Sequence, residues 1–168
     1  IDGGEFTQTG TALDTPSTYR YAIDCRDGGK ITINGGVFKS NNGMINVSSE
    51  VEINGGEFEN IVEKTMTRHF AYVSAKLTIN DGKLYGKANS AAGGCFLCGA
   101  AQGCDITING GNFQGQTWVH CVDDSAKLTI NGGTFAPAKN GGDASSVFVN
   151  NSGKTAELAV TGGTFTTK

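Results

Sequence analysis

One phrase recurs along this chain of 168 residues and limits what it can fold into. It reads ITINGGVF at 31–38, VEINGGEF at 51–58, LTINDGKL at 77–84, ITINGGNF at 106–113, LTINGGTF at 128–135 and LAVTGGTF at 158–165, and the chain opens on a seventh tail, IDGGEF. Successive Gly-Gly (or Asp-Gly) positions are 32, 20, 26, 29, 22 and 30 residues apart. A spacing with a floor near 20 that varies only upward describes a minimal turn of chain carrying loops of different length. Within the phrase the apolar residues alternate by two, as in Ile31/Ile33, Val51/Ile53, Leu77/Ile79, Ile106/Ile108 and Leu128/Ile130. That is strand patterning rich in β-branched residues, and it excludes helical repeat arrays, whose apolar spacing follows 3.6 residues. A second strand precedes each phrase: YAIDC at 21–25, MINVS at 44–48, AYVSA at 71–75, CFLCG at 95–99, VHCVD at 119–123 and VFVNN at 147–151. The sequence therefore predicts an all-β fold, a single-stranded parallel β-helix (β-solenoid) of about six to seven coils. Parallel crossovers make it right-handed, and the inter-strand spacing gives a rod on the order of 30 Å long.

The phrase has a structural reading. Ile31 and Ile33 point inward and Thr32 outward, and Asn34, Gly35 and Gly36 then make a sharp bend in which positive φ is tolerated. The same applies to Asn54, Gly55 and Gly56, to Asn109, Gly110 and Gly111, and to Asn131, Gly132 and Gly133. Phe6, Phe38, Phe58, Phe113, Phe135 and Phe165 close the coils on the core. The asparagines, with Asn80, are placed to bond one coil to the next as an amide ladder.

Composition narrows the function classes. Glycine is 26 of 168 residues but proline only two, which excludes collagen and a proline-rich linker. Net charge is −3 with the signs interspersed, so no basic patch points to nucleic acid and no basic amphipathic stretch to a membrane surface. No apolar run is long enough for a transmembrane helix, so no membrane insertion is expected. Cys25, Cys95, Cys98, Cys104 and Cys121 allow at most two internal disulfides and suit core filling equally well. The whole chain, 1–168, is expected to be one domain. Both termini cut through repeats, the expectation being a segment of a longer chain or a subunit that stacks end to end through its edge strands.

The repeated strand, Asn-Gly-Gly bend and aromatic resemble the pectate-lyase-like right-handed parallel β-helix. They are especially similar to glycine-rich β-helical regions of bacterial secreted and cell-surface proteins, often labelled carbohydrate-binding or adhesin-like. The resemblance covers essentially the whole chain and implies an extracellular or cell-surface location. Enzymes of the family use clustered aspartates on consecutive coils, or Ca²⁺-binding acids with a basic residue. The matching residue types here are Asp24, Asp27, Asp123 and Asp124, with Arg26 nearby. Paired carboxylates serve as acid and base only when their environments separate their pKa values. Asp24 and Asp123 are several coils apart, Asp123-Asp124 falls where a turn is expected, and the chain is short for such an enzyme.

Other constellations carry less. The C-x-x-C of Cys95 and Cys98, with Cys104 and the pair His120-Cys121, has metal-ligand residue types, but residues three apart on a strand face opposite ways. His69 reads as a loop histidine, and no cofactor is expected. The outward column Thr32, Glu52, Thr78, Thr107, Thr129, Ala159 is too interrupted for the paired threonine arrays of an ice-binding face. The second strand is more informative. Its expected outward face carries Phe70, Tyr72, Phe96, Trp118, His120 and Phe148. An aromatic outer face is either covered by a loop, such as 59–69 or 136–146, or is a platform for stacking sugar rings or a protein partner. The sequence thus predicts a non-catalytic structural or adhesive module contacting polysaccharide or a cell-surface glycan. A filament subunit binding itself end to end and a polysaccharide lyase or hydrolase are the alternatives. Asn46 and Asn150 begin N-x-S sequences that matter only in a eukaryotic secretory setting.

Overall fold

Each repeat forms one coil of a parallel β-solenoid, and each coil contributes three strands. The computed structural model describes residues 1–9, 21–61, 70–86, 97–99, 103–114, 118–121, 125–136, 148–151 and 157–166, with backbone alone at 97–99, 118–121 and 148–151. Among the described residues, nineteen strands fall into three sheets of seven, six and six, every third strand belonging to the same sheet. All pairings are parallel and in register from coil to coil.

The isoleucine sheet holds the first half of the repeated phrase: Lys30–Ile33, Glu50–Ile53, Lys76–Ile79, Asp105–Ile108, Lys127–Ile130 and Glu157–Val160. Its alternation behaves as the sequence predicts. Val51, Ile53, Leu77, Ile79, Ile106, Ile108 and Leu128 are buried, while Glu52, Thr78 and Thr107 on the outer face are half-buried. The variable sheet holds the second predicted strand: Tyr21–Cys25, Gly43–Val47, Ala71–Val73, Leu97–Gly99, Trp118–Cys121 and Phe148–Asn151.

The third sheet is not anticipated by the sequence pattern. The aromatic residue after the bend does not merely close the coil; it sits in a strand of its own. Glu5–Gln8, Val37–Ser40, Glu57–Asn60, Lys83–Tyr85, Asn112–Gln114, Thr134–Ala136 and Thr164–Phe165 form this phenylalanine sheet. Inward it presents Phe38, Phe58, Leu84, Phe113 and Phe135, all buried, with half-exposed Phe6 and Phe165 at the two ends. Phe38 lies 4.8 Å from both Phe6 and Phe58, and Phe135 lies 4.7 Å from Phe113 and 4.8 Å from Phe165. The rings are within 7° of parallel, so the inter-strand spacing sets the stack and Leu84 interrupts it.

Candidate functional site

Three rows of side chains run along the solenoid, and each is engaged in holding coil to coil. The first is the expected amide ladder. Asn34 donates to Oδ1 of Asp2, Asn54 to Asn34, Asn80 to Asn54, Asn109 to Asn80 and Asn131 to Asn109, and the Thr161 hydroxyl donates to Asn131, all at 2.7–2.9 Å. Every link points the same way, because each carboxamide gives its Nδ2 proton to the coil before and offers Oδ1 to the coil after.

Beside the ladder, the two glycines of each bend, both expected to tolerate positive φ, serve different needs, and they do not both adopt it. Only the second does, as at Gly56 with φ 106°. The first has no space: a Cβ on Gly55 would stand 2.8 Å from the backbone oxygen of Asn34 in the coil before.

The second row, missed by the sequence analysis, is a column of alternating charge on the outer rim of the isoleucine sheet. Register places Lys30, Glu50, Lys76, Asp105, Lys127 and Glu157 one above the next. Ion pairs join Lys30 to Glu50 at 3.0 Å, Lys76 to Glu50 at 3.5 Å and Lys127 to Glu157 at 3.6 Å. The Lys30 ammonium, by hydrogen bond and charge, holds the Glu50 carboxyl below its ordinary pKa. The signal was present in the sequence, since each of these residues stands four before a ladder position. The third row, also missed, is the column of small residues Gly29, Ser49, Ala75, Cys104 and Ala126 at the adjoining corner, each accepting a backbone hydrogen bond from the next coil. Cys25 and Cys104 are buried, as core-filling cysteines would be; the side chain of Cys98 and all of Cys95 lie outside the described residues.

The variable sheet is the face on which neighbouring coils do not repeat. Alternation along its strands leaves the register open to a slip of two, and the pairing settles it. Phe148 pairs with Trp118, not His120, and His120 pairs with Cys98 and Asn150. Since Ala71, Leu97, Val119 and Val149 share a row, the preceding positions Phe70, Trp118 and Phe148 share another. Tyr72, Cys98 and His120 make up the next row on the same face. Phe96, Asp123, Asp124 and His69 lie outside the described residues, as do the side chains of Trp118, His120 and Phe148. Phe70 is fully buried, and so is Met44 in the neighbouring coil. Strand Gly43–Val47 is buried at all five positions. Tyr72 is half-buried.

Asp24 begins the Tyr72 row as an exposed polar group. It receives Arg26 Nε at 2.7 Å and Asn46 Nδ2 at 2.8 Å, with Arg26 Nη2 2.6 Å from its second oxygen. Partial burial pushes its pKa upward, but the hydrogen bonds from Arg26 and Asn46 and the Arg26 charge outweigh this and hold the carboxyl below its usual range. Asn46 is spent in this bond and only 7% exposed. A general acid needs a raised pKa, and among the described residues the two carboxylates with a resolved shift, Asp24 and Glu50, move the other way. Among the described residues no three His, Cys, Asp or Glu side chains gather as a metal site. A cavity of about 450 Å³ opens at the first coil, lined by Ile1, Phe6, Gln8, Tyr21, Ile23 and Phe38 among others, with no carboxylate among its described lining residues.

No family model matches the chain, and no curated protein or solved structure matches it either.

Proposed function

We propose that this chain is a non-catalytic structural and adhesive β-helix module, acting outside the cell or on its surface and contacting polysaccharide or cell-surface glycan through its variable sheet. One observation carries this reading. The repeated rows on the other faces are committed to neighbouring coils through the amide ladder, the charge column and the phenylalanine stack. The variable sheet, by contrast, gathers non-repeating residue types, Tyr72 with His120 and Trp118 with Phe148, in adjoining rows of one face. Flat aromatic groups in such rows suit the apolar faces of sugar rings. The resemblance to pectate-lyase-like β-helices of bacterial secreted proteins supports the same reading.

Trp118 is the single tryptophan, so its fluorescence reports on this face. Acrylamide should quench it, and a glycan selected from an array should shift its emission and reduce the quenching. A Trp118 that is fully protected and unmoved by every glycan overturns the proposal.

The second reading is a filament subunit joined end to end. It is favoured by the uniform parallel register of the three sheets, which a second copy could continue. The charge column also runs from a cation, Lys30, to an anion, Glu157. Sedimentation at rising concentration decides: association supports stacking, and a strict monomer removes it.

A further inference from the structure

The amide ladder is built from Asn-Gly sequences at Asn34, Asn54, Asn109 and Asn131. Asn-Gly is the dipeptide in which the following backbone nitrogen, unhindered by a Cβ, attacks the asparagine side chain most readily. We propose that these four asparagines are deamidation sites held dormant by the fold, and that their conversion in an opened chain is a one-way modification that bars return to the ladder.

The chemistry needs only water. The glycine nitrogen bonds to asparagine Cγ, the Cγ–Nδ2 bond breaks, and ammonia leaves with the proton the glycine nitrogen gives up. Water then opens the resulting succinimide to aspartate or isoaspartate. Burial does not prevent this, because Asn34, Asn109 and Asn131 are exposed and Asn54 is half-exposed. Geometry does. Each carboxamide is pinned along the solenoid axis by one bond to the coil before and one from the coil after, as Asn54 is between Asn34 at 2.9 Å and Asn80 at 2.7 Å. Its own backbone N–H is fixed to the preceding coil as well, Asn54 to Ile33 and Asn131 to Ile108, each at 2.7 Å. The attacking nitrogen belongs to the same coil, so the side chain must abandon both axial partners before Cγ can face it.

The product does not fit where the reactant did. A carboxylate has no proton for the coil before, and at Asn54 its oxygen would face Oδ1 of Asn34, acceptor against acceptor. Asp2 shows the arrangement a carboxylate permits, in which it only accepts, from Asn34. Isoaspartate further adds a backbone atom to a bend whose first glycine already stands against the preceding carbonyl.

The test incubates the whole chain in ¹⁸O-labelled water at neutral pH, folded and in urea, and maps label by peptide mass. Label at the four ladder Asn-Gly sites should enter at least about tenfold more slowly in the folded chain, since reaction must wait for local opening. Asn80, followed by Asp81, is the internal reference and stays slow in both. Asn80→Ala removes a partner from Asn54 and from Asn109, and should speed conversion at those two while Asn34 and Asn131 stay slow. Should the variant fail to fold, the wild-type comparison still decides. Chains converted in urea should fail to regain the native circular dichroism on dilution. Equal rates in folded and unfolded chains, or converted chains that refold to the native melting temperature, overturn the proposal.

Discussion

At Gly55 the carbonyl of Asn34 stands where a side chain would begin, and at Gly56 the backbone has a φ of 106° that an L-residue resists. Gly55→Ala is expected to cost about 1–3 kcal/mol by crowding two coils. Gly56→Ala should cost a similar amount, about 1–3 kcal/mol, through backbone strain together with a Cβ only 3.1 Å from the Gly36 oxygen of the preceding coil; urea denaturation measures both. The coil carrying Asp81 shows what relief looks like, because Gly82 there opens to φ 136° and Asp81 takes the Gly82 N–H at 2.8 Å. Asp24 gives the residue-scale pH prediction. Its folded pKa lies below the unfolded value, so its pairing with Arg26 and Asn46 stabilises the fold at any pH above the unfolded value. That contribution is lost as pH falls through the folded value. The stability gap between wild type and Asp24→Asn should therefore narrow on acidification below the ordinary carboxylate range. A gap that stays constant would contradict the assignment.

At the scale of the element, the phenylalanine column separates interior from end. Phe58→Ala removes a fully buried ring lying 4.8 Å from Phe38 and should cost about 3–5 kcal/mol. Phe165→Ala removes a ring 41% exposed and should cost about 1 kcal/mol, read from the same denaturation curves. The sheet that carries these rings was illegible beforehand because its strands are two to four residues long. Glu57–Asn60 offers one large apolar residue between polar neighbours, too few positions for an alternation to be counted. The isoleucine sheet was legible because two apolar positions recur at a fixed offset from asparagine. The variable sheet was half legible: alternation names the face of a residue but is unchanged by a slip of two. Phe148 thus has the same phase as both His120 and Trp118, and its partner is Trp118. Phe70 had the outward phase and is nevertheless buried, since phase says nothing about what lies over a face.

For the whole molecule, contacts run almost entirely between neighbouring coils, so whole coils should be removable. Excising 34–53 joins Ile33 to Asn54 and keeps the ladder, the isoleucine column and the phenylalanine column in phase. It also sets Lys30 against Lys76, because the Glu50 between them is gone. Excising 34–79 removes two coils and restores an opposite pair, Lys30 against Asp105. Both products should show the parallel β circular dichroism of the parent. Relative to the number of coils kept, the one-coil deletion should be less stable by up to about 1 kcal/mol, a deficit that added salt reduces. The charge column therefore works as a parity check on assembly. The asparagine, isoleucine and phenylalanine columns are nearly uniform and accept a coil seated one level too high or too low. Alternating charge distinguishes odd levels from even ones and penalises every odd error, so a regular rod carries in one row of side chains the means of counting its own turns.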